Sequence, residues 1–385
     1  MPSAVSTKSR PALIRLRWLG LVESRPYPKG KQSTFSRQRA WGSLLFGAVL
    51  LGVFQLLLSW SLDGHAPGCR DPEYALRVRL CRQRQAEYPG RPLIAVLGNS
   101  RTAMGISPAA WEACCDPQGM NTAPMLFNFG LVGAGPMLQE LVARRLIQDG
   151  IHPKVVLWEY WPPFLYQDEQ WNEYQRVNLD RLSPRDLPWV DACYPPEKAT
   201  PIRQAIWWQH LLPCWGTRER LLLQLVPEWL PPSRRIDWTW KHLDAWGWYP
   251  GLDAQMLGDA GREKMTQQCQ GIYQPLLARY YCAAEAEKSL RRGVQLFQNA
   301  GCKVLLLYLP ESERFRQWYP PEAEAQIRQH RRQLQRELGA EWLDTRSWMA
   351  ETDFVDGFHL SRQGAVAFTQ RLGHLLTERF QGSGR

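Results

Sequence analysis

The sequence predicts an α/β protein built on a parallel sheet with helices on both faces. One membrane-spanning helix precedes the sheet domain and a tryptophan-rich insertion interrupts it. Three observations carry this. Short apolar runs of strand length alternate with longer stretches of helical spacing, the pattern of a parallel sheet wrapped by helices. A charge-free apolar stretch lies close to the N-terminus. Between the third and fourth strand-like runs the alternation gives way to a segment crowded with Trp, Pro and Arg.

The chain has 385 residues, which fits one enlarged α/β domain with additions. Residues 1–39 read as a basic, Ser- and Pro-containing arm without a packed core. The arm holds Lys8, Arg10, Arg15, Arg17, Arg25, Lys29, Lys31, Arg37 and Arg39 against Glu23 alone. Most of the net charge of +10 therefore sits there, which argues against a nucleic-acid surface on the folded part. Residues 40–62 carry Leu44-Leu45-Phe46, Val49-Leu50-Leu51 and Leu56-Leu57-Leu58 with no charge. At about 1.5 Å per residue this run spans a hydrocarbon core of about 30 Å. Trp41 and Trp60 stand at its two ends, as interfacial anchors do. A cleaved signal peptide would have a shorter basic region, a shorter apolar core and a small-residue cleavage site after it. The excess of Lys and Arg before the run puts the arm in the cytoplasm and residues 63–385 outside it, in the periplasm or at the cell surface.

Residues 63–90 form a polar connector with a short helix over Glu73 to Glu87. The sheet domain, 91–385, opens with Leu93 to Leu97, a continuous apolar run that reads as a buried parallel strand. Ser107-Pro108 starts a short helix, with serine as cap and proline in the first turn. Met125 to Asn128 is the second strand, and Pro136 to Gln148 is a helix closed by Asp149-Gly150. Lys154 to Glu159 is the third strand. Ala283 to Asn299 is a helix ended near Gly301, and Val304 to Leu309 is the fourth strand, stopped by Pro310. Pro321 to Leu338 is a polar helix, and Glu341 to Leu343 a short fifth strand. Arg362 to Phe380 closes the chain as a helix, with Ala365, Phe368, Leu372 and Leu375 on one face.

The insertion covers roughly 160–280 and holds Trp161, Trp171, Trp189, Trp207, Trp208, Trp215, Trp229, Trp238, Trp240, Trp246 and Trp248. Most of these rings are expected to form the core of a small helical cap. Trp158, Trp161, Trp207 and Trp208 are candidates for a cleft, and Trp–Tyr–Arg clusters also suit a lipid headgroup layer. The nine cysteines all lie beyond the apolar stretch, which is compatible with disulfides in an oxidising compartment. Cys69 with Cys81 and Cys193 with Cys214 are plausible pairs. No Cys/His spacing points to a metal, and the histidines other than His359 have no matching partners in the sequence.

Chemistry concentrates in two places. Ser100 follows the first strand at its carboxyl end, where open α/β sheets place their ligand sites. Asp356-Gly357-Phe358-His359 lies near the C-terminus. A serine hydroxyl is a weak nucleophile until a base takes its proton. His359 is the candidate base, and Asp356 the candidate group that orients it. Arg101 and Glu159 are charged residues beside this point, candidates for contacting substrate or each other. Trp161 follows the third strand.

These stretches resemble the SGNH (GDSL-like) hydrolases, from residue 93 to 380. The family's Gly-Asp-Ser block appears as Gly98-Asn99-Ser100. Its Asn and Gly after the second strand appear as Asn128 and Gly133, and its Asp-x-x-His block as Asp356 to His359. The resemblance implies a flavodoxin-like three-layer α/β/α fold, a catalytic set of Ser100, Asp356 and His359, an oxyanion hole from Ser100 and Gly133, and a site amide at Asn128. The family's third block has an Asn where this chain has Tyr160-Trp161-Pro162-Pro163. Loss of one oxyanion donor costs about 10²–10³ in kcat. The resemblance implies a membrane-anchored serine esterase acting on O-acyl (acetyl) esters of an envelope glycan or a lipid, with no metal or organic cofactor. Two alternatives stand beside it. One is an O-acyltransferase that decorates a surface polysaccharide with acyl groups from a membrane donor partner. The other is a non-catalytic glycan-binding scaffold.

Overall fold

The computed structural model describes residues 34–116, 123–169, 171–231, 240–251 and 253–382. The basic arm up to residue 33 and Trp238 lie outside them. The chain divides into a unit ending at Gly52 and a second unit from Val53 onward. Helix α1 (Thr34–Gly64) overruns the apolar stretch at both ends. Its segment Arg37–Gly64 is long and apolar enough to cross a membrane.

Within the second unit, α2 (Pro72–Glu87) starts at Asp71, whose carboxylate accepts the Tyr74 N–H at 3.2 Å. Five parallel strands follow: β1 (Leu93–Leu97), β2 (Met125–Asn128), β3 (Val155–Glu159), β4 (Lys303–Tyr308) and β5 (Glu341–Asp344). They lie in the order β2-β1-β3-β4-β5. This is a doubly wound order, and its switch point is the crevice between β1 and β3. Short helices α3 (Ser100–Gly105) and α4 (Pro108–Cys115) follow β1, and α5 (Pro136–Gln148) follows β2.

Alternation along the strands divides the core in two, because successive side chains point to opposite faces. Ala95, Leu97, Phe127, Trp158, Leu306 and Tyr308 pack under α2, α5 and the helices Ala284–Asn299 and Pro321–Leu338. Ile94, Val96, Leu126, Leu157, Leu305 and Leu307 pack under α4 and the C-terminal helix Arg362–Gly382. The three-layer arrangement follows from that division. Gly293 allows the Ala284–Asn299 helix to approach the sheet, because a Cβ there would collide with the Trp158 ring. Gly293→Ala is expected to cost about 1–3 kcal/mol through overpacking, read as a lower midpoint of thermal unfolding in detergent.

The insertion between β3 and β4 contains the helices Leu187–Cys193, Pro196–Leu211, Arg218–Leu225 and Ala254–Ala278. Buried Arg145 of α5 ties it to the connector, reaching Asp71 at 2.9 Å and Asp186 at 2.8 Å. Trp189 and Trp248 are buried, as expected for a cap core. Trp158 and Trp161, two of the cleft candidates, are buried as well, Trp158 under the Ala284–Asn299 helix and Trp161 among Phe164, Tyr273 and Phe358. Trp207, Trp208, Trp215 and Trp229 are exposed instead. The two expected disulfides are not formed, and all nine thiols are free. Cys69 donates to Gln224, and Cys193 meets Glu140 and Arg292.

Candidate active site

β1 ends at Leu97, and Gly98-Asn99 turn the chain directly into α3. Asn99 caps that helix, its side-chain oxygen accepting the Arg101 N–H at 2.8 Å. Ser100 is therefore the first helical residue, half-buried at the crevice. Its N–H belongs to the helix start, where intrahelical acceptors are lacking.

The second element is a tight loop. Val355 N–H bonds the His359 carbonyl at 3.0 Å, and Phe354 pairs with Leu360. Gly357 takes φ +96° within it, a conformation that favours glycine. Asp356 Oδ1 accepts the N–H groups of Phe358 at 3.2 Å and His359 at 2.8 Å. Phe358 is buried against Trp161, Tyr273 and Phe315, so the neighbouring His359 is held by its partner's anchor.

These two elements meet. His359 Nε2 lies 2.7 Å from Ser100 Oγ, and His359 Nδ1 lies 2.7 Å from Asp356 Oδ2. Burial opposes ionisation of Asp356. The His359 ring and the two backbone N–H groups outweigh it and hold the carboxyl below the ordinary aspartate value. Cys269, on the Ala254–Ala278 helix, lies near the same carboxylate. Burial first, and Asp356 second, push that thiol up to about 12. Nothing in the local sequence around Cys269 signals this contact.

Gly133 lies half-buried in the turn Leu131 to Ala134, with φ +76°. That loop runs beside the serine turn: Phe129 N–H bonds Val96 O at 2.8 Å and Leu131 N–H bonds Gly98 O at 3.0 Å. Gly130 is pressed against Ala103, leaving no space for a Cβ.

The remaining expected contacts turn inward, away from any substrate. The Asn128 amide donates to Thr102 O and Ile106 O, both at 2.8 Å, and its oxygen accepts the Gly130 N–H at 2.9 Å. It pins α3 to the loop after β2. Arg101 is buried, donating to Leu309 O at 2.9 Å, Pro310 O at 2.8 Å and Phe358 O at 3.3 Å. Its guanidinium sits 5.0 Å over the Trp161 ring. Trp161 is itself buried and donates to Glu311 at 3.1 Å. Glu159 Oε2 accepts the Asn99 N–H and the Thr102 hydroxyl, each at 2.7 Å, and Oε1 lies 3.5 Å from Arg101. Burial pushes the Glu159 carboxyl up, against the pull of Arg101 and these donors. Gly98 is required here, since a Cβ would collide with Thr102 Oγ1 and Glu159 Oε2.

A buried scaffold thus links the serine turn, the end of β3, the loop after β4 and the histidine loop. Glu311 extends it, bonding Tyr319 and Arg346, each at 2.9 Å. Elsewhere, His330 and His210 do have partners. His330 meets the Tyr160 hydroxyl at 2.9 Å, and His210 meets Ser59 and Asp63. Cys282, Glu287 and His330 hold their ligand atoms within 4.8 Å of one another. Glu287 is already bonded twice by Arg291, at 2.9 and 2.6 Å, so its charge is spent on a guanidinium. A groove of about 620 Å³ between Glu263, Arg314 and Glu351 reaches the histidine loop at Gly357, but Ser100 and His359 do not line it.

No protein-family model matches the chain, and no curated protein matches it.

Proposed function

We propose that this chain is a membrane-anchored serine acyl-transfer enzyme of SGNH type, working outside the cytoplasm. The observation that carries the reading is the continuous chain of contacts from Ser100 Oγ through the His359 ring to the Asp356 carboxylate, 2.7 Å at each step. The strand order and the sequence order of the blocks support the family assignment. The basic arm ahead of α1 supports an exterior location for the sheet domain.

With its proton on Nδ1 facing Asp356, His359 presents the Nε2 lone pair to the serine hydroxyl. His359 takes that proton as Ser100 Oγ attacks an ester carbonyl. Asp356 stabilises the imidazolium that results. The developing oxyanion is received by the backbone N–H groups of Ser100 and Gly133. His359 then protonates the departing alkoxide, and the acyl group stays on Ser100. Water or a sugar hydroxyl, deprotonated by His359, releases it. The substrate class is an O-acylated glycan or lipid at the membrane surface.

Tyr160 and Trp161 turn into the core where the family carries an oxyanion Asn, so the oxyanion is left to the backbone donors.

The full chain in detergent is tested with a fluorophosphonate probe and with short-chain p-nitrophenyl esters. Labelling at Ser100 and turnover in the wild type are expected, both lost in Ser100→Ala. A folded wild type that neither labels nor turns over refutes the reading and leaves a binding role. Adding a glycan acceptor separates the two outcomes: acylated glycan means transferase, free acid means esterase.

A further inference from the structure

The C-terminal third of α1 is not uniformly apolar. Gln55 and Ser59, four residues apart, share one face of the helix. Both are buried, while Phe54, Leu56 and Leu57 are exposed. A polar stripe on a spanning helix is costly unless its groups are bonded. Here the insertion satisfies it. The Cys214 N–H donates to Gln55 Oε1 at 3.1 Å, and His210 Nδ1 lies 3.2 Å from Ser59 Oγ and 3.1 Å from Asp63. Arg70 closes the cluster onto Asp63 at 2.6 Å.

That contact sets a depth. Gln55 lies about 7.5 Å along the helix axis inward of Trp60, and tryptophans at the end of a span sit at the headgroup level. The backbone bonded to Gln55 is therefore level with the upper acyl chains. The side chains flanking it are large, apolar and uncovered. Trp208 is 64% exposed, Trp215 72%, and Leu211 and Leu212 43% each. Exposed apolar patches of this kind mark a binding surface. The Arg218 guanidinium lies 4.2 Å over the Trp215 ring, a cation set beside an aromatic ring as a phosphate layer requires.

We propose that the insertion dips into the leaflet at the C-terminal end of α1, with Trp207, Trp208, Leu211, Leu212 and Trp215 buried in the headgroup and upper acyl region and Arg218 at the phosphates. The occupant of this patch is lipid. The inference rests on the reading of α1 as a membrane span, and it holds whichever way the span is oriented. It gives the protein two membrane contacts, a crossing helix and a monotopic face.

The test uses the full chain in nanodiscs whose phospholipids carry bromine on the upper acyl carbons, which quenches tryptophan emission on contact. Two variants are compared with wild type: Trp207→Phe/Trp208→Phe/Trp215→Phe, and Trp18→Phe/Trp41→Phe/Trp60→Phe. The first is expected to lose part of the quenched emission, and the second to keep the part that the patch supplies. Equal quenched emission in wild type and the first variant overturns the proposal and leaves another protein as the cover of the patch. Disappearance of quenching in the second variant overturns it equally. Failure of the underlying span gives a different signature: alkaline carbonate releases the wild-type protein from membranes.

Discussion

His359→Ala is expected to lower kcat/KM for p-nitrophenyl acetate by about 10⁴–10⁶, to the level left by binding and oxyanion stabilisation alone. The imidazole is the sole base within reach of Ser100 Oγ among the described hydrogen bonds, at 2.7 Å, so nothing else receives the proton. Asp356→Asn is expected to cost less, about 10⁴, by presenting the wrong tautomer rather than removing the base. Fluorophosphonate labelling of Ser100 should slow in step with turnover. The unfolding midpoint should hold in His359→Ala, because that ring is part-exposed and its loop is anchored by Phe358 instead. Near-wild-type turnover in His359→Ala would sink the triad.

Glu159→Ala is expected to produce the largest loss of stability of any single change near the site, about 3–5 kcal/mol. Oε2 accepts two hydrogen bonds, and Oε1 faces the Arg101 guanidinium at 3.5 Å without a hydrogen bond. Removing the carboxylate leaves the Asn99 N–H and Thr102 hydroxyl without an acceptor, and leaves the Arg101 guanidinium buried beside less negative charge. Orphaned donors at zero exposure carry the full desolvation penalty. Glu159→Gln keeps the shape but not the charge, and should fall between. Thermal unfolding in detergent checks the order, wild type above Gln above Ala. An Ala variant as stable as wild type would mean that Arg101 and Thr102 find other partners. Activity should fall with stability here, because Glu159 acts on the serine turn and not on substrate.

Much of the sheet domain was legible because its signals are local. The Leu93–Leu97 and Met125–Asn128 strands and the Pro136–Gln148 and Pro321–Leu338 helices fall where apolar runs, Pro starts and Gly stops put them. The positions of Ser100 and of Asp356 to His359 were legible too, since each sits where a strand or helix boundary is marked. What escaped was pairing over distance. Glu311 with Arg346 and Cys269 with Asp356 leave no periodic trace in the chain. Of the two contacts the sequence offered for Arg101, substrate or Glu159, the fold supplies the second. A charge next to a nucleophile looks like a substrate contact, but the helix start turns this side chain into the core, where three carbonyls hold it. Gln55 and Ser59 were visible as polar residues in an apolar run, yet only the docked insertion gives them a purpose.

On the proposed acyl-transfer reading, the junction after α1 governs how the protein meets its substrate. Asp63, Arg70 and His210 lock the end of the helix, and α2 begins at Pro72 after one short turn. There is no free tether of the kind that lets an anchored domain sweep a volume. On the membrane reading, the nucleophile travels sideways with its lipid neighbours. Encounter becomes a two-dimensional problem. On the same reading, an ester carried on a lipid, or a polymer held at the bilayer as it emerges, would meet this serine by lateral diffusion, while a soluble ester would first have to reach the surface.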